Sequence, residues 1–73
     1  MYLLNVWKEF TSGIRYEISD HFSAIKIAML YAIHFKEELD RLKKGDSKGS
    51  GFSVLNAETG EVLVSAVFES DNI

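Results

Sequence analysis

The sequence predicts an α+β domain with elements in the order ββαββ: a four-stranded, antiparallel-rich sheet with one long helix packed on one face. Three observations carry that reading. Ile14, Tyr16 and Ile18 alternate with Arg15, Glu17 and Ser19, the period of a strand with one dry face. Ile25, Ala28, Ala32, Phe35, Leu39 and Leu42 recur at three- and four-residue steps, the period of one helix stripe. Two further apolar runs, Phe52 to Asn56 and Glu61 to Phe68, flank Glu58-Thr59-Gly60, whose glycine suits the positive φ of a short hairpin loop.

The first run, Tyr2 to Phe10, is rich in aromatic and aliphatic residues and is followed by Thr11-Ser12-Gly13, small and polar enough for a tight turn. It therefore pairs with the alternating run as a hairpin. The helix is expected from about residue 20 to 44. Ser19 or Asp20 offers an N-cap oxygen, Lys43 and Lys44 place cations in the last turn, and Gly45 suits the left-handed residue that ends helices. Gly45 to Gly51 contains three Gly and two Ser in seven residues, the composition of a flexible connection. A single domain over 1–68 is expected, with 69–73 as a frayed acidic tail.

Strands that are apolar on both faces belong in the middle of a sheet. The first strand has Tyr2, Leu4 and Val6 on one side with Leu3 and Trp7 on the other; the fourth has Val62, Val64, Ala66 and Phe68 against Leu63 and Val67. The second and third are more polar on one side and read as edges, which favours the spatial order 2-1-4-3.

Composition narrows the function classes. A chain of 73 residues has room for one domain, and one this small buries only about 60% of its unfolded surface, so a partner subunit would add burial it lacks. With 47% hydrophobic residues it is too apolar for intrinsic disorder. The absence of Cys rules out disulfides and thiolate metal sites within these residues, and two His are too few for a His-rich zinc site, so no cofactor or metal is expected. A net charge of −3 opposes general phosphate-backbone binding. The longest apolar stretch, Ala24 to Phe35, is broken by Lys26 and His34 and falls short of the roughly 20 residues of a membrane span. Met1-Tyr2-Leu3-Leu4 has neither the basic region nor the cleavage site of a signal peptide, so the expected location is cytoplasmic.

One helix covers one sheet face, so Leu3, Trp7, Leu63 and Val67 are expected to form an uncovered apolar patch on the other. On the helix, Ile27, Leu30, Tyr31 and His34 stand at i, i+3, i+4 and i+7, away from the centre of the core stripe. A helix that only caps a sheet needs one stripe, so this second flank points to contact with another helix or chain.

Catalytic patterns are sparse. His21 and His34 lie thirteen residues apart, which turns them about 140° from one another on a helix and keeps them from sharing a metal or proton. His34 has Glu38 four residues on, a pair that reads as a pH-sensitive contact before it reads as an active site. Glu37, Glu38 and Asp40 among Lys36, Arg41, Lys43 and Lys44 read as a solvated charged face. The Gly-rich segment follows a helix and opens a strand, the reverse of a phosphate-binding loop.

The sequence therefore predicts a non-enzymatic interaction module that self-associates as a homodimer or binds and regulates another protein. Its size suits a regulator or inhibitor of phage or bacterial type. The contact residues would be Leu3, Trp7, Ile27, Leu30, Tyr31, His34, Leu63 and Val67, with no small-molecule ligand inferred. The alternative is a nucleic-acid-binding sheet, with Trp7 for stacking and Lys8 and Arg15 for phosphates; the net negative charge makes that less favoured.

Overall fold

A computed structural model describes residues 1–42 and 44–70. The elements are β1 (Tyr2–Phe10), β2 (Arg15–Phe22), α1 (Ile25–Asp40), β3 (Ser47–Asn56) and β4 (Val62–Ser70). The ββαββ order and the single-helix, four-stranded architecture are as expected, and every strand pair is antiparallel. Both hairpin turns rest on the anticipated glycines. Gly13, at φ +93, donates its N–H to Phe10 O at 2.9 Å, and Gly60, at φ +80, donates to Asn56 O at 2.7 Å. The Asn56 side chain closes the second turn by accepting the Glu58 N–H at 2.8 Å, an Asx turn.

The spatial order is β2-β1-β3-β4 rather than the expected 2-1-4-3. β3 is interior and β4 is an edge. The residues read as a flexible connection are the reason: Ser47 to Gly51 belong to β3, and Gly49, Ser50 and Gly51 are buried. Gly51 lies opposite both Trp7 of β1 and Val67 of β4. A Cβ there would stand 2.7 Å from the Ala66 carbonyl oxygen and 2.9 Å from the Trp7 ring, so the strand accommodates the indole only by having no side chain. Small residues mark close packing here rather than slack chain. β4, apolar along most of its length, carries the exposed Val62, Leu63 and Val67.

The helix spans 16 residues, shorter at both ends than the expected 20–44. At its start, β2 continues its ladder with β1 as far as Phe22 opposite Tyr2, because Phe22 packs against the core. Asp20 is thus a strand residue whose Oδ1 accepts the neighbouring His21 N–H at 2.8 Å, and Ala24 takes the N-cap position without a side-chain hydrogen bond. At its end, the chain tightens after Asp40: the Arg41 N–H bonds Glu38 O at 3.2 Å and the Leu42 N–H bonds Leu39 O at 3.1 Å. Gly45, at φ +119, turns the chain into β3 beyond the helix rather than capping it. Lys44 is outside the helix and Lys43 lies outside the described residues.

The core forms between α1 and the sheet, from Leu4 and Val6 of β1, Phe52 and Val54 of β3, and Ala28, Ala32 and Leu39 of α1. Ile25, Phe35 and Leu42 complete the predicted stripe around it. Alanines at the contact leave no room beneath the helix, so Ala32→Leu is expected to cost about 2 kcal/mol by overpacking. The check is the urea midpoint, which should fall at unchanged m-value.

Candidate interaction surfaces

Six of the eight residues expected at an interface fall on two opposite faces. Ile27, Leu30, Tyr31 and His34 are all on exposed parts of α1. Leu3 and Trp7 lie on the far side of the sheet, since Leu4 and Val6 face the helix and strand side chains alternate. The two groups are separated by the sheet and cannot form one surface.

The helix surface is the more apolar. Ala28, Ala32 and Leu39 point inward, which sends Lys26, Leu30, Ile33 and Glu37, spaced i, i+4, i+7 and i+11, along the outermost line. Leu30 is 67% exposed and Ile33 52%. Either side of that line the helix has distinct flanks. Ile27, Tyr31 and His34 lean toward β2, where the Tyr31 ring sits 5.0 Å from Phe22. Met29 shares the other flank with Lys36, whose ammonium lies 5.8 Å from the Phe68 ring, so that flank faces β4. Met29 and Ile33 are absent from the expected contact residues, which follow one off-centre stripe although the N-terminal half of the helix is apolar almost all round. The apolar character of the whole 25–34 segment was the available signal.

Leu30, Tyr31 and His34 line an open hollow of about 310 Å³. His34 Nε2 is 3.5 Å from Glu38 Oε1, and both side chains are largely in water. This places the expected His–Glu pair on a broad surface with its imidazole edge-on to Tyr31 at 6.0 Å.

The opposite sheet face is not one apolar patch. Across the strands the register sets Ser19, Asn5, Ser53 and Ser65 in one row. Asn5 Nδ2 donates to Ser19 Oγ at 2.7 Å and to Glu17 Oε1 at 2.9 Å, fixing the polar row. Leu3 beside Leu55 lies on one side of it, and Trp7 beside Gly51 and Val67 on the other. Trp7 is further covered by the Arg15 guanidinium, 4.6 Å from the ring, which itself pairs with Glu17 at 3.4 Å. Lys8 faces the helix side, so of the two cations expected near Trp7 only Arg15 shares its face.

Leu63 and Val67 belong to an irregular edge. The β3–β4 register steps from Val62 to Val64 opposite Leu55 and Val54, and from Val67 to Glu69 opposite Gly51 and Ser50. Leu63 and Phe68 are therefore extra residues, one at each of two bulges, and the simple alternation expected along this strand breaks at both. Bulged edges resist pairing with another strand.

A part-buried polar cluster, unanticipated as such, ties the end of α1 to the sheet. The even positions of β1 face the core, and they include Lys8, whose side chain is 9% exposed. Lys8 Nζ donates to Asp40 Oδ1 at 2.6 Å and lies 3.7 Å from Glu69 Oε1; Lys36 Nζ donates to Asp40 Oδ2 at 2.6 Å. Glu69 also accepts from Ser47 Oγ at 2.5 Å. Lys36 and Asp40, read as part of a solvated face, thus turn inward, while Glu37 and Glu38 stay exposed. Burial pushes the Asp40 carboxyl up, but hydrogen bonds from Lys36 and Lys8 outweigh it and hold the group below the usual carboxylate range. The Lys36 ammonium is held above its ordinary value by the Asp40 hydrogen bond, against the cost of burial. With charges of both signs in equal number and its donors and acceptors paired, the cluster acts as a clasp.

The fold and these surfaces define a small α+β domain with one helix on a four-stranded antiparallel sheet. No family model matches the chain, and neither a curated protein nor a solved structure matches it. Among the described residues no helix is long and apolar enough to cross a membrane, and no group of three His, Cys, Asp or Glu is placed to hold a metal ion.

Proposed function

We propose that this protein is a non-enzymatic interaction module that self-associates or binds and regulates another protein. One observation carries the reading: the outer surface of α1 presents Ile27, Leu30, Tyr31 and Ile33 to water on a helix whose opposite side already fills the core. Folding leaves this surface unused. A contiguous apolar helix face with an aromatic at its edge is the form that helix-mediated recognition takes. The open sheet face supports the reading less, because its polar row divides Leu3 from Trp7. His34 and Glu38 stand on a shallow, wet surface that offers a substrate little enclosure, which favours binding over catalysis.

Leu30→Glu tests this. Leu30 contributes little to the core, so circular dichroism and the melting temperature should stay close to those of the parent protein. Association, read as solution mass by light scattering over a concentration series or as capture of a partner, should be lost. Retention of association by Leu30→Glu would remove the helix face from the reading.

A further inference from the structure

We propose that the occupant of the outer helix face is a second copy of this chain, docked antiparallel, helix on helix, about a two-fold axis. The inference rests on the reading of α1 as an interaction surface and adds its partner and geometry. The outermost line of α1 reads Lys26, Leu30, Ile33, Glu37: a cation, two apolar residues and an anion at i, i+4, i+7 and i+11. This order is complementary to its own reverse. In an antiparallel pair whose axis passes between Leu30 and Ile33, Lys26 of each copy stands beside the partner's Glu37. Leu30 of each copy meets the partner's Ile33 in the same arrangement. A two-fold interface repeats each contact, so two ion pairs bracket two apolar contacts. Parallel docking would instead put Lys26 against Lys26 and Glu37 against Glu37.

The rest of the surface agrees with this arrangement. The helix is the outer layer of a two-layer domain, so its top can approach another helix at the usual 8–10 Å without a strand in the way. Met29 on one flank and Ile27 with Tyr31 on the other extend the apolar contact beyond the central line. Neither sheet edge competes, since β4 is bulged and β2 carries the charged Arg15, Glu17 and Asp20. The contact involves one helix face, fewer residues than the roughly 20–30 a side of a standard interface, so the dimer is weak, concentration-dependent and sensitive to salt.

Charge reversal on the intact chain tests the geometry, with mass read by sedimentation equilibrium at low salt. Lys26→Glu alone, or Glu37→Lys alone, places like charges together at both ends of the dimer, and each is expected to weaken self-association about tenfold or more. Both are surface changes, and unchanged circular dichroism confirms the fold. The doubly reversed chain should recover dimerisation to within about threefold of the parent. Mixing the two single variants should yield a heterodimer, since each end then pairs a Glu with a Lys. Two results overturn the proposal. One is a parent chain that stays monomeric up to about 1 mM, which removes self-association but leaves a different protein partner open. The other is a dimer that Leu30→Glu disrupts while both charge reversals leave it intact, which keeps the helix face and rejects the antiparallel register.

Discussion

Gly51→Val is expected to cost about 4 kcal/mol, most of the stability of a domain this small. The added side chain would have to occupy space held on one side by the Trp7 ring and on the other by the Ala66 carbonyl oxygen, at 2.9 and 2.7 Å from the first carbon. An indole can rotate; a backbone carbonyl inside a ladder cannot move without breaking the register to β4. Gly51→Ala should therefore already cost about 2 kcal/mol, and Trp7→Ala should rescue it only in part, by releasing the ring contact and not the carbonyl contact. Urea unfolding followed by far-ultraviolet circular dichroism measures all three. A Gly51→Val protein within about 1 kcal/mol of the parent would show that the close approach is not what keeps this position small.

The second large effect is at the clasp. Asp40→Ala is expected to cost about 3 kcal/mol, at the low end for a broken buried pair because Asp40 is itself partly in water. The cost arises mainly from leaving the Lys8 ammonium under the helix with the more distant Glu69, at 3.7 Å, as its carboxylate. Adding Lys8→Met to Asp40→Ala removes the stranded charge and should recover about half of the loss, the outcome that separates desolvation from lost packing. If the double variant is no more stable than the single one, the stranded charge is not the cause.

Asp40 and Lys36 set the pH response. The Asp40 carboxyl is lowered on folding, so its contribution is present above its unfolded pKa of about 4 and is lost as pH falls through the lower folded value. The Lys36 ammonium is raised, so its contribution is complete below its unfolded pKa of about 10.4 and is lost as pH rises through the higher folded value. Asp40→Ala removes the first group and the hydrogen-bond partner of the second. The difference in stability between parent and variant should then be greatest between these limits and shrink toward either end.

Much of the fold was legible because it is written in local periodicity. The alternation along Ile14 to Ile18, the helix stripe from Ile25 to Leu42 and the glycines at 13 and 60 each reflect a constraint acting over a few residues. Such constraints predict elements, turns and the face of the helix that enters the core. The outer flank of α1 was legible for the same reason, since the helical period alone places Leu30 and His34 opposite Ala28 and Leu39.

What local pattern could not decide was which strand lies next to which. Glycine and serine from 45 to 51 look alike in a mobile connection and in a strand pressed against an indole, and only the Trp7–Gly51 contact separates the two. Apolar residues on both faces of β4 resemble an interior strand until two bulges and the edge position leave Val62 and Val67 in water. Lys8 reads as a surface lysine until β1 is central and the end of the helix brings Asp40 to it across 32 residues of chain. The sequence by itself determined the kinds and order of the elements and the core face of α1, because these follow from backbone geometry and side-chain period. The tertiary structure alone decided strand order, the clasp and the division of the open sheet face, because each depends on residues distant in the chain occupying the same space.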